Sequence, residues 1–152
     1  MPCIFVNYYI DFIMYRLEYH GGFESAHQLT NAYEEKCNAS IHGHNWKVKI
    51  VIETEKLSKR NMVIDFSELK DVLNAFDHKN LNLVIAPIEP TAENLAQLIH
   101  GGVVQRLKKY FDIKPRVAIT LWETDKSSIT YYENSPSVDR QDEATIDKEN
   151  EF

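Results

Sequence analysis

"CNASIHGHNWKVKIVIETEKL", residues 37–57, decides how this chain is read. From Asn45 onward polar and apolar positions alternate, the signature of a strand buried on one face. At the mouth of that strand His42 and His44 flank Gly43. Side chains two apart on a strand point the same way, so both imidazoles share a face and form half of a metal site. A third imidazole comes from His27, at the end of the preceding β-type run "YRLEYHGGFESAHQL". Joined by a loop, the two runs are expected to pair antiparallel, with a bulge at Gly21-Gly22. Three histidines on one rigid hairpin match the donor set of a catalytic zinc, which leaves a fourth position for water or substrate. On these residues alone an accidental histidine pair remains the competing reading.

Helical periodicity follows. "DFSELKDVLNAF" offers Asp65 or Ser67 as N-cap and places Phe66, Leu69, Val72, Leu73 and Phe76 at helical spacing. "PTAENLAQLIHGGVVQRLKKYF" opens with Pro90 ahead of Thr91 as N-cap. Gly101-Gly102 is expected to weaken or kink its middle. "RVAITLWET" and "SSITYYE" then read as a hairpin turning at Asp125-Lys126. The order strand, strand, helix, helix, strand, strand predicts an α+β domain: a four-stranded antiparallel sheet with two helices on one face.

The 152 residues suit one domain with a real core. Three regions are expected: an N-terminal extension (1–14), the domain (15–133) and an acidic disordered tail (134–152). The apolar opening run carries Asp11, lacks a basic start and is too short to cross a bilayer, so no membrane role is expected. The tail has six acids against Arg140 and Lys148, which leaves −2 of the total −6 for the rest. A nearly neutral body argues against nucleic-acid binding while permitting an anionic small substrate. Cys3 and Cys37 stand far apart in dissimilar surroundings, which favours a reduced, cytoplasmic setting and a free Cys37 thiol.

Two further constellations carry chemistry. In "AFDHKNLN", residues 75–82, the adjacent Asp77 and His78 either end a helix or form a relay in which the carboxylate orients an imidazole that exchanges protons with a thiol. Glu123, in "LWET", is either a solvated strand end or a buried carboxylate able to hold a guanidine-like edge through two parallel hydrogen bonds.

The ordered set "FESAH", "CNASIHGHNWKV", "NMVIDFSELK", "FDHKNLN", "PTAENLA" and "WET", spread over about residues 15–133, resembles the family of 6-pyruvoyltetrahydropterin and 6-carboxytetrahydropterin synthases. The resemblance implies a tunnelling-type fold whose trimers close a barrel and stack in pairs as hexamers, with active sites at subunit interfaces. It implies His27, His42 and His44 as Zn2+ ligands, Cys37, Asp77 and His78 as catalytic residues, and Glu123 as the anchor of the pterin ring. The substrate implied is 7,8-dihydroneopterin triphosphate. "PTAEN" and the short loop before HGH favour the carboxy branch, a lyase releasing acetaldehyde and triphosphate on the route to queuosine and other 7-deazaguanines. The pyruvoyl branch, or a pterin-binding relative without turnover, are the alternatives. Four residues, Asn38 to Ile41, separate Cys37 from His42, a spacing between those usual in the two branches. Lys36, Lys79 and Arg16 lie near the motifs as candidate cations for a triphosphate.

Overall fold

A computed structural model describes residues 14–33, 35, 40–112 and 114–133. The expected extension, the acidic tail, Lys36 and Cys37 lie outside the described residues, apart from Met14. Four long strands make up nearly all of the sheet: β1 (Tyr15–His27), β2 (His42–Thr54), β4 (Arg116–Thr124) and β5 (Ser127–Tyr132). All pair antiparallel, as expected. A two-residue strand, β3 (Lys79–Asn80), adds a parallel pairing to Ser25 and Ala26, so the sheet is mixed and runs β3-β1-β2-β4-β5. Among the described residues the sheet is accompanied by α1 (Phe66–Asn74), the single turn α2 (Leu81–Val84) and α3 (Ala92–Leu107).

Register explains where the core lies. In β1 and β2 Phe23 opposes Trp46, and in β2 and β4 Ile50 opposes Ile119. Odd positions of β1 and β4 therefore share a face with even positions of β2. That face carries Trp46, Val48, Ile50, Ile52, Ile119 and Leu121, all buried. Leu69, Val72 and Leu73 of α1, with Leu95, Ile99 and Val103 of α3, close over it. Each such side chain contributes roughly 1.5–3 kcal/mol on leaving water. Phe66 departs from the expected apolar stripe: it is largely exposed and stacks at 6.0 Å on Tyr19. The opposite face of the sheet is polar, with Arg16 paired to Glu53 at 2.6 Å and Thr120 bonded to Thr130 at 2.9 Å.

The caps follow from chemistry visible in the chain. Asp65 accepts from the Ser67 amide at 2.9 Å, and Thr91 accepts from the Asn94 amide at 3.2 Å. The glycines behave differently from expectation. β1 and β2 pair without interruption from Tyr15–Thr54 to His27–His42, so no bulge forms at Gly21-Gly22. Gly22 is instead a close approach: a Cβ there would lie 2.5 Å from the Trp46 carbonyl oxygen. Nor do Gly101-Gly102 interrupt α3, which is continuous across them. Gly102 lets α1 approach, since a Cβ would meet Val72 Cγ1 at 2.9 Å. The register shift in the sheet lies between Trp122 and Thr124, beside Glu123.

Candidate functional site

The core face of β1 and β2 changes chemistry at one end. Beyond the stacked pair Phe23 and Trp46 come the rows Ser25–His44 and His27–His42. Register alone therefore gathers His27, His42 and His44, whose ring centroids are 4.8, 4.9 and 5.0 Å apart. One nitrogen from each lies within 4.8 Å of the other two. The Trp46 indole forms the floor, with its centroid 5.4 Å from both His27 and His44. His27 is almost wholly buried, while His42 and His44 are partly open.

Hydrogen bonds set the tautomers. His27 Nδ1 lies 2.7 Å from the carbonyl oxygen of Pro90, and His42 Nδ1 lies 3.1 Å from that of Ser40. A carbonyl only accepts, so each Nδ1 carries the proton and each Nε2 presents a bare lone pair. The Nε2 atoms of His27 and His44 are buried without a hydrogen-bond partner. Burial holds the His44 imidazole below its ordinary value, opposed by the nearby Glu123 carboxylate. Buried lone pairs converging without donors fit a cation, and outer carbonyls fixing the imidazoles are how zinc-binding histidines are usually held. Three nitrogens on a rigid hairpin fit zinc.

Glu123 joins this group. Its Oε1 lies 3.4 Å from His27 Nε2 and 3.6 Å from His44 Nε2. It shares a parity with Val117, Ile119 and Leu121, which already face the helices. That parity was the available signal for its placement. Sequence reasoning missed Pro90 as the partner of His27. It also missed Asn82, which takes the Gln28 amide at 2.8 Å and donates to the Gln28 carbonyl at 2.7 Å, fixing the chain just past His27.

Asp77 and His78 do form a pair, with Oδ2 and Nδ1 2.9 Å apart. Asp77 Oδ1 also accepts from the Glu24 amide at 2.9 Å, while the His78 amide donates to the Glu24 carbonyl at 2.6 Å. The Glu24 amide first, and His78 second, hold the Asp77 carboxyl below its ordinary range. His78 has φ 53°, a left-handed conformation that costs a branched or bulky residue energy and is sustained by these ties. Its imidazole is 77% exposed at the β3 edge of the sheet. Cys37 lies outside the described residues. Of the candidate cations, Arg16 is set aside: it sits at the far end of β1, roughly 36 Å of strand from His27, and its guanidinium is held by Glu18 and Glu53.

Comparison with known proteins places the chain in a family. A 6-carboxy-5,6,7,8-tetrahydropterin synthase of Helicobacter pylori is 38% identical over 60 residues, covering 37% of this chain and 30% of that protein. The chain spans 30–35% of the length of the carboxytetrahydropterin synthases it matches first. A dihydroneopterin monophosphate aldolase of Pyrococcus furiosus is 31% identical over 119 residues, covering 75% of this chain and 94% of that protein. The structure of Caenorhabditis elegans 6-pyruvoyl tetrahydropterin synthase superposes with a TM-score of 0.61 at 26% identity, over 80% of this chain and 96% of that one. Among the described residues no helix is long and apolar enough to cross a membrane. Residues 16–134 match the profile of the family described as 6-pyruvoyl tetrahydropterin synthase, and the chain belongs to that family.

Proposed function

We propose that the protein is a zinc-dependent lyase that converts 7,8-dihydroneopterin triphosphate to 6-carboxy-5,6,7,8-tetrahydropterin, with release of acetaldehyde and triphosphate, on the route to queuosine. The observation that carries the reading is the convergence of three imidazoles, two of which, His27 and His44, bury an Nε2 without a hydrogen-bond partner. His27, His42 and His44 would hold the ion. Zinc, when bound, supplies positive charge that stabilises negative charge developing on substrate oxygen. The Glu123 carboxylate would accept two parallel hydrogen bonds from the guanidine-like edge of the pterin, its 2-amino group and ring N3–H. Cys37 would take a proton from the side chain, and His78, oriented by Asp77, would exchange protons with that thiol. The cleaved side chain supplies the electrons that reduce the ring, so no external nicotinamide enters.

The exposure of His78 supports a site shared between copies of the chain. Beyond Ser25, toward its N-terminal end, β1 has no described strand on its outer side, and β5 forms the other edge. Among the described residues nothing pairs along these two edges, an arrangement that suits pairing with further copies in a barrel of trimers stacked as hexamers.

The aldolase relative, aligned over most of both chains, favours a second reading, in which the side chain of a dihydroneopterin phosphate is cleaved without reduction of the ring. Both readings are separated by incubating the zinc-loaded full chain with 7,8-dihydroneopterin triphosphate, and in parallel with the monophosphate, and identifying products by mass with the aldehyde trapped. Carboxytetrahydropterin with acetaldehyde is the expected result. Pyruvoyltetrahydropterin without aldehyde would assign the other synthase branch; turnover of the monophosphate alone would assign the aldolase reading. No turnover of either compound would refute an active enzyme.

A further inference from the structure

We infer that Glu123 is a fourth donor to the metal in the pterin-free protein, so that the carboxylate expected to anchor the pterin ring first closes the ion's open position. The inference rests on the three-imidazole reading of the site. Donors around a tetrahedral ion with bonds of about 2.0–2.2 Å are separated by roughly 3.3–3.6 Å. Glu123 Oε1 stands 3.4 Å from His27 Nε2 and 3.6 Å from His44 Nε2, two edges of such a figure. Neither contact is a hydrogen bond, because both nitrogens are without one. The His27 proton is already committed to Pro90 through Nδ1. At His27 the carboxylate oxygen and the unprotonated Nε2 are both acceptors, and they repel at this distance unless a cation lies between them. Strand parity gives the geometry a cause, since Glu123 follows Val117, Ile119 and Leu121 on the face that carries the imidazoles. One carboxylate cannot bind the ion and a pterin edge at once. Pterin entry therefore has to displace it.

The test measures zinc affinity of the full chain by competition with a chromophoric chelator, with far-ultraviolet circular dichroism confirming the fold of each variant. Glu123→Gln removes the charge, and Glu123→Asp keeps the charge but shortens the reach. Both are expected to bind zinc about tenfold more weakly or worse, the range seen when a supporting group of a metal site is lost. Affinities within twofold of the parent for both variants would overturn the inference. Retention in Glu123→Asp with loss in Glu123→Gln would overturn it too, since that pattern belongs to a charge acting at a distance. His42→Ala separates the two levels: if it binds zinc as the parent does, the three-imidazole reading fails, and if it alone loses zinc, only the role of Glu123 fails.

Discussion

Gly101 and Gly102 are neighbours on α3, yet replacing each by alanine is expected to shift stability in opposite directions. In a helix interior alanine is better than glycine by about 0.8–1 kcal/mol. At Gly101 an added Cβ meets nothing within 4 Å, so that gain is unopposed and Gly101→Ala should stabilise the protein. At Gly102 the same atom would lie 2.9 Å from Val72 Cγ1 and 3.6 Å from Cγ2. Val72 is buried on α1, and a β-branched side chain in a helix has essentially one rotamer, so relief requires the two helices to separate. Overpacking of this kind costs about 1–3 kcal/mol. Set against the propensity gain, Gly102→Ala should be neutral at best and destabilising by up to about 2 kcal/mol. Urea unfolding at one fixed protein concentration reads both variants. Adding Val72→Ala to Gly102→Ala should recover part of the loss relative to Val72→Ala alone, because the clash is then gone. Equal stabilisation by both alanines would show that helix propensity alone governs α3 and that Gly102 is not a packing contact.

Three further outcomes follow from the site and its supports. Cys37→Ala should retain zinc and pterin binding while turnover falls about 10²–10⁴-fold, the usual worth of a positioned proton-transfer group; undiminished turnover in steady-state assays would remove the thiol from the mechanism. His100, buried on α3 against Tyr131, is held below its ordinary value mainly by burial, with Glu133 opposing and Lys114 assisting. The unfolded chain therefore binds a proton more readily, stability falls as pH drops below about 6.5, and His100→Gln should flatten that fall in urea midpoints measured between pH 7.5 and 5; an unchanged slope would dismiss the residue as its source. Thr91→Ala removes the oxygen that caps α3 and should cost about 1 kcal/mol, visible as a lower urea midpoint, whereas Thr91→Ser should restore most of it.

Much of this was legible because local chemistry and tertiary structure agree. Alternation in β2, the helical spacing of Leu69, Val72 and Leu73, the Thr91 cap and the turn at Asp125-Lys126 all carry their cause within a few residues. β3 and α2 were not legible, since two and four residues are too short to display a period. The glycine pairs misled for another reason. A glycine chosen for space, as at Gly22 and Gly102, looks the same in sequence as one chosen for conformation, and only the partner across the sheet or helix tells them apart. The imidazole cluster could be read from parity. Its supports could not, because His27 and Pro90 are 63 positions apart and the contact is to a backbone carbonyl, which every residue possesses.

The same register that builds the core also builds the site, and this fixes what metal removal should do. Along one face the opposed pairs run Leu17–Ile52, Tyr19–Ile50, Gly21–Val48, Phe23–Trp46, Ser25–His44 and His27–His42. A slip of one residue would carry the imidazoles and the apolar residues to the opposite face together. The apolar rows, clamped by α1 and α3, thus choose the register that brings the imidazoles together, and the ion has no part in that choice. Structural zinc sites, by contrast, supply about 10–16 kcal/mol and hold together domains that unfold without metal. Here zinc should add only the linkage term, about 4 kcal/mol at a thousandfold excess over its dissociation constant. Chelation is therefore expected to abolish turnover and lower the urea midpoint while leaving the far-ultraviolet spectrum in buffer unchanged. Collapse of that spectrum on chelation would mean that the ion, and not the apolar rows Leu17–Ile52, Tyr19–Ile50 and Phe23–Trp46, holds β1 against β2.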